Sequence, residues 1–337
     1  MDRSGILVAG NWILDQVKLI DKFPEEQSLV NILDEYTSNG GSAYNILVDL
    51  FKLKARFPLE AAGLVGDDAN GNRIIDHCRK MGIDVQSLRT TADSPTSYTI
   101  VTSVRSTGKR TFFHHRGANS LLDVDDVDLS KSNAKLFHLG YLLLLDRLDE
   151  IQQDGRTKAS YLLEDAKKRG FITSIDLVSE DSDRFNTIVP CALPYVDYLF
   201  LNEFEASRVS GVDLLTGSTI MEMEDKFKEV AKHIFGLGVN EWVIIHQPDG
   251  AWASHRSGIH IHQPSLAIPG DHVVGANGAG DALAAGTLLG IHEGQPMADC
   301  LKLGVCAAAA SLSHITCSDG VLPYKDSLAL ANAYGFR

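Results

Sequence analysis

Short apolar runs of strand length alternate with amphipathic segments of helix length along most of this chain, and that alternation restricts its fold more than any other feature. Ile6–Ala9 is an apolar run ending at Gly10, and Ser42–Leu53 follows with Ala43, Ile46, Leu47, Leu50 and Leu53 at helical spacing. Leu59–Val65 reads as a buried strand, and Asn70 is placed to cap a helix that runs through Met81 and stops at Gly82. Further on, Leu136–Leu139, Phe171–Asp176, Tyr198–Leu201 and Trp242–His246 read as strands, with helices over Lys158–Arg169 and Glu224–Gly236. Such a succession builds a parallel sheet covered by helices on both faces. With 337 residues, the chain is expected to form one large domain carrying a modest insertion, or two domains.

Two segments break the rhythm. Leu14–Asn39 shows no convincing helix, and Val17–Ile20 and Leu29–Tyr36 look like strands on either side of Pro24-Glu25-Glu26. Thr96–Arg116 reads as a hairpin of Ser97–Val104 and Arg110–His115, turned by Ser106-Thr107-Gly108-Lys109. Both alternate polar and apolar residues, as a sheet with one wet face requires, so they are expected to pair as a small β-sheet set on the main body, at about 12–37 and 96–116.

Charge and cysteine usage narrow the partners. The formal net charge is −13, from 31 Lys+Arg against 44 Asp+Glu, and a nucleic-acid partner needs cations to neutralise its phosphates. The richest apolar stretch, Leu139–Leu145, is far shorter than the ~20 residues of a membrane span, so no membrane partner is expected. Five scattered cysteines show no Cys-x-x-Cys spacing and read as free thiols. Met1–Gly5 has no basic stretch leading into a long apolar core, and a cytoplasmic location is expected.

The sharpest chemical signal is Gly275-Ala276-Asn277-Gly278-Ala279-Gly280-Asp281 opening into Ala282-Leu283-Ala284-Ala285-Gly286. A glycine-rich loop that leads into a helix presents unpaired N–H groups and the positive end of the dipole, which suits an anion. An acidic side chain there repels phosphate, so Asp281 needs a task; general base for an attacking hydroxyl is one, and complementing the helix dipole is another. A second site is Gly40-Gly41 ahead of Asn45, whose amide could read a polyol hydroxyl or could share a solvated face with Asp49 and Lys52. Asn202-Glu203-Phe204-Glu205 fits a capping box by spacing alone. Asp15 follows the first strand as a loop residue, and Gly117-Ala118-Asn119 closes the hairpin segment as a turn. His114-His115 adjoin Arg116 at a strand end, where they could reach a substrate. His255, His260 and His262 resemble a metal set, but the alternation Ile259-His260-Ile261-His262 favours the wet face of a strand.

Together these residues resemble the ribokinase-like, or PfkB, carbohydrate kinase family nearly end to end. The early Gly and Asp of that family are matched by Gly10 and Asp15, and its Gly-Gly…Asn signature by Gly40, Gly41 and Asn45. Asn202 and Glu205 match its Asn-x-x-Glu motif, Gly278-Ala279-Gly280-Asp281 its Gly-Ala-Gly-Asp, and Gly117-Ala118-Asn119 its turn after the lid. The resemblance implies an α/β, doubly wound, mostly parallel sheet flanked by helices with a small β-sheet lid, and ATP-dependent phosphorylation of a hydroxymethyl group on a sugar. It implies that Asp281 deprotonates the acceptor, and that the N–H groups of Ala279, Gly280 and Asp281 hold the charge that develops in transfer. Asp15, Gly40, Gly41, Asn45 and Asn119 would contact the sugar, and Asn202, Gly250, Gly278 and Gly280 the nucleotide. Asn202 and Glu205 would organise Mg2+ through water. A nucleoside kinase of the same fold and a catalytically silent binding protein stay open, as does a phosphorylated sugar met by Lys109, Arg110 or Arg116. A homodimer through the lid is also expected.

The departures from the family pattern carry expectations too. Many members have Asp-Thr where this chain has Gly275-Ala276, so a monovalent-cation site is doubtful and activity is expected to depend little on potassium. His246-Gln247-Pro248-Asp249-Gly250-Ala251 lacks the usual glycine, and Cys306–Ser311 has small residues where members often place Asn, so contacts to the adenine are expected to differ.

Overall fold

Ile6–Gly10 forms strand β1, buried along its whole length because it lies between two parallel neighbours. Its side chains divide by parity: Leu7 and Ala9 enter the core on one face of the sheet, Ile6 and Val8 the core on the other. The computed structural model describes residues 3–180, 182–215 and 220–337. Among these, β2 (Ile13–Ile20), β3 (Ile32–Gly40), β4 (Leu59–Gly66), β5 (Asp84–Thr91), β6 (Ser97–Val104) and β7 (Arg110–His115) precede β8 (Leu136–Leu142), β9 (Ile172–Leu177) and β10 (Tyr198–Asn202). The last three strands are β11 (Trp242–Gln247), β12 (Gly250–His255) and β13 (His260–Pro264).

Nine of these strands make the main sheet, in the order β13-β12-β11-β10-β9-β8-β1-β4-β5. All pairings are parallel except β11–β12 and β12–β13. Helices cover both faces. On one side lie α1 (Ser42–Lys52) and α2 (Ala69–Lys80), on the other α3 (Lys158–Lys168), α4 (Phe185–Ala192), α5 (Glu203–Ser210) and α6 (Ile220–Leu237). Then α7 (Ala279–His292) packs between α1 and α8 (Met297–Ser311), with α9 (Tyr324–Tyr334) outside α8. From Asp281 to Ile291 every residue of α7 is buried, so its small residues let neighbouring helices close around it.

The remaining four strands form a second sheet, in the order β3-β2-β6-β7, with β2–β6 parallel and its two outer pairings antiparallel. Both irregular segments therefore belong to one sheet. Its boundaries differ from the sequence reading: β3 starts at Ile32 and runs on through Gly40, leaving Leu29 outside it. Strand β5 was not anticipated, because a main-sheet edge with one wet face carries polar residues such as Asp84, Gln86 and Arg89. The cap of α2 is Asp68, whose carboxylate accepts from Gly71 N at 2.8 Å, and not Asn70, which lies inside the helix.

Candidate active site

Parallel strands bring their C-terminal ends to one edge, where a doubly wound fold leaves its crevice. The ends of β8, β9, β10 and β11 meet the glycine loop there, and the second sheet lies above them with Ile13, Asp15, Thr99, Phe112 and His114 turned inward. A cavity of about 540 Å³ results. Gly41, Asn45, Asn202, Glu205, Gly278, Ala279, Gly280 and Asp281, all singled out from the sequence, line it.

The loop needs its glycines for specific reasons. Gly278 caps α7 at φ +72°, and a Cβ there would stand 2.6 Å from the Cys317 carbonyl oxygen. Gly280 faces the imidazole of His246, 3.1 Å from where its Cβ would be. Ala282 N donates the first regular bond of α7, to Gly278 O at 2.8 Å. The Gly280 and Asp281 amides before it have no acceptor among the described residues and are open to an anion.

Asp281 is buried and held on two sides. Asn45 Nδ2 donates to its Oδ2 at 2.7 Å, and the Tyr141 hydroxyl approaches both oxygens at 3.1 and 3.0 Å. Asn45 is fixed in turn by Asn39, whose Nδ2 donates to Asn45 Oδ1 at 2.6 Å. The solvated-face alternative for α1 fails, since Asn45 and Asp49 are both buried. Burial, and next the nearby Asp176 carboxylate, push Asp281 up to about 7 despite the bonds from Asn45 and Tyr141. Burial likewise pushes Asp15 up to about 7, against bonds from Cys317 and Thr99.

Asn202 caps α5, and the reciprocal bonds of a capping box are both present: Asn202 Oδ1 accepts from Glu205 N at 2.8 Å, and Glu205 Oε2 from Asn202 N at 3.0 Å. Glu205 also lines the cavity, so its place in the cap does not take it out of the site. Its Oε1 accepts from Ser179 Oγ at 2.8 Å. Burial pushes Glu205 up to about 8, and among the described residues no cation is paired with it. A hydrated magnesium fits such a place: it carries the missing charge and asks for few direct ligands, and among the described residues no group of three His, Cys, Asp or Glu side chains is gathered for a metal.

Three expected residues do not line the cavity. Asn119 is fully buried, and its amide is used up on Trp12: Oδ1 accepts from Trp12 N at 3.1 Å and Nδ2 donates to Trp12 O at 3.2 Å. It fixes the passage from β1 to β2 rather than a sugar. Gly40 makes room for the Asp15 carboxylate, which a side chain there would strike. Gly250 starts β12 at φ +151°, against the Gln263 backbone. The histidines of the β12–β13 hairpin are separately engaged: His255 with Glu241, His260 with Ser254, and His262 stacked on Trp252. Arg110 donates to Asn277 Oδ1, tying the lid to the glycine loop, and Arg116 pairs with Asp146 and Glu180.

Sequence reasoning missed Tyr141, His246, Asp176 and Cys317. Tyr141 sits at φ +54°, a conformation rare for an aromatic residue, and no spacing rule reveals it. A signal did exist for Asp176 and His246, since each is a polar residue at the end of an apolar strand whose C-terminal end faces a crevice.

The family model of the pfkB family carbohydrate kinases matches residues 5–324. A 5-dehydro-2-deoxygluconokinase of Clostridium perfringens is 27% identical over 288 residues, covering 83% of this chain and 80% of its own. The ketohexokinase of Mus musculus is 23% identical over 327 residues, 96% of this chain and 100% of its own. Among solved structures, a ribokinase from Giardia lamblia shares the fold with a TM-score of 0.80 at 19% identity, over 96% of this chain and 98% of that one. With the match spanning nearly the whole sequence, the chain belongs to the pfkB family of carbohydrate kinases.

Proposed function

We propose that the protein transfers the γ-phosphoryl group of ATP to a hydroxymethyl group of a sugar. The observation that carries this reading is Asp281: a buried carboxylate with a pKa near 7, in the first turn of a helix whose open amides face the same cavity. A base poised near neutrality is half ionised at working pH and strong enough to take a hydroxyl proton. In the step itself, the acceptor oxygen bonds to the γ-phosphorus as the bond to the β–γ bridging oxygen breaks. The acceptor's proton goes to Asp281, and the Gly280 and Asp281 amides face the charge on the moving phosphoryl group. Asn45 and Tyr141 orient the carboxylate. Asn202 and Glu205 would hold magnesium, which supplies charge neutralisation for the β- and γ-phosphates. The inner face of the lid excludes water, whose attack would waste ATP.

A nucleoside acceptor is the second reading, favoured by the apolar side chains in the cavity lining, Ile13, Phe112, Leu144 and Val178 among them, against which a base could lie. An ADP-release screen over sugars and nucleosides with Mg2+ decides between them. A protein that binds ATP yet turns over no acceptor would be the silent binding protein instead.

Three results are expected from this reading. Glu205→Gln should raise the magnesium concentration needed for half-maximal rate by about tenfold, since one carboxylate's charge is worth about that in a partly hydrated site; an unchanged requirement would remove Glu205 from that role. Replacing potassium by sodium or a bulky organic cation at fixed ionic strength should change kcat/KM little, as Gly275 and Ala276 bring no side-chain oxygen; a tenfold loss would show that other ligands make a site. The lid exposes Phe23, Ile32, Leu33 and Phe113, which suits a homodimer through that sheet, and sedimentation of the pure protein as a monomer at micromolar concentration would count against it.

A further inference from the structure

Besides Tyr141 and Cys317, the ionisable side chains that line the cavity are four carboxylic acids and two histidines. Asp15, Asp176, Glu205 and Asp281 line it, and among the described residues no lysine or arginine does. Its two histidines, His114 and His246, are pushed down to about 4, chiefly by burial, and carry no charge at neutral pH. Arg110 reaches the rim from the lid, and one of its guanidinium nitrogens donates to the neutral amide oxygen of Asn277, which holds its charge beside the glycine loop. Arg116 is engaged with Asp146 and Glu180.

On the kinase reading, the triphosphate of ATP would have its charge provided for, by the open amides of the glycine loop and by the magnesium that Asn202 and Glu205 would hold. The space under the lid, lined by Asp15, Asn45, Thr99, His114 and Asp281, has no such provision. What it has is hydrogen-bonding capacity. His114 bonds Thr99 Oγ1 through Nδ1 at 3.0 Å and leaves Nε2 buried without a partner, and the Asp15 carboxylate, which meets the weak donor Cys317 Sγ at 3.4 Å and the Thr99 hydroxyl, lines the same space. Neutral hydroxyls satisfy such groups; a second anion does not. An anion there would also keep Asp281 protonated, which disables it as a base.

Resting on the kinase reading above, we infer that the acceptor is an uncharged polyol, with neither carboxylate nor phosphate, gripped by hydrogen bonds under the lid. The family has members for charged and for uncharged acceptors, so the distinction belongs to this chain's own side chains.

The test uses paired acceptors with ATP and Mg2+, followed by ADP release and by 31P NMR of the product. The pairs are fructose and fructose 1-phosphate, glucitol and gluconate, and adenosine and AMP, with ribose added to the neutral set and 5-dehydro-2-deoxygluconate to the anionic set. Turnover should be confined to the uncharged members, with kcat/KM at least 100-fold above any anionic one. A best acceptor that carries a carboxylate or phosphate overturns this inference while leaving the kinase reading intact. Turnover of none, by a protein that still binds ATP, overturns the kinase reading and this inference with it. Arg110→Gln supplies an independent arm. The preference for uncharged acceptors should survive the substitution; loss of an anionic acceptor's turnover alone would show that Arg110 swings under the lid to meet it, against the inference.

Discussion

Asp281→Asn is expected to give a folded protein that turns over at least ~10²-fold more slowly, because an amide cannot take the acceptor's proton. Substrate binding should weaken far less, since the amide can still bond to Asn45 or Tyr141. The fold can be checked on the same variant. Asp281 has a folded-state pKa of about 7 against an ordinary value of 3.8, so between these values the native state binds more protons than the unfolded one. Its contribution is then fully present below about pH 4 and is lost as pH rises through 7. At pH 8 the native protein holds a buried carboxylate against its desolvation, and the substitution removes that burden. The melting temperature of the variant should therefore exceed that of the wild type at pH 8, by more than at pH 5. Wild-type kcat/KM should rise with pH through about 7 and then level off, and the variant should lose that limb. A variant within a few-fold of wild-type turnover would strip Asp281 of its assignment as base.

How much of this was legible in the sequence depended on how local each signal was. Gly278–Asp281 and Asn202–Glu205 were readable because loop, cap and chemistry all lie within a few residues, and each motif writes its own backbone geometry. The parallel sheet was readable because strands buried on both faces are nearly continuous apolar runs. Strand β5 was not, as an edge with a wet face has the composition of a loop. Asn119 misled for a different reason. A buried amide that closes two bonds on Trp12, 107 positions away, looks in sequence like one that faces a sugar. Tyr141 and His246 became visible only in three dimensions, where one rests on the Asp281 carboxylate and the other on Gly280. Neither contact has a fixed spacing, since the partners come from different strands and from a helix at the other end of the chain.

Gly278→Val is expected to remove nearly all activity, by about 10³-fold in kcat/KM, and to lower stability by roughly 2–4 kcal/mol. Two separate demands meet at this residue. Its φ of +72° lies in the left-handed region, which a β-branched side chain all but excludes. A Cβ at this position would also press on the Cys317 backbone, 2.6 Å from its carbonyl oxygen and 2.8 Å from its Cα. That stretch of backbone carries Cys317 against Asp15, so relief of the clash moves the glycine loop and the acceptor end together. Gly278→Asn separates the two demands, because asparagine tolerates the left-handed region better than most residues. If dihedral strain dominated, Asn would restore stability and most of the rate. The close approach to Cys317 is the same for any Cβ, so the Asn variant should stay at least ~30-fold impaired in kcat/KM even where its melting temperature recovers. ADP binding measured by calorimetry on both variants locates the damage: it should weaken in step with kcat/KM, since the Gly280 and Asp281 amides are what move. Unimpaired ADP affinity beside a large loss of rate would place the effect on the acceptor side and show that the glycine loop holds its shape without the glycine.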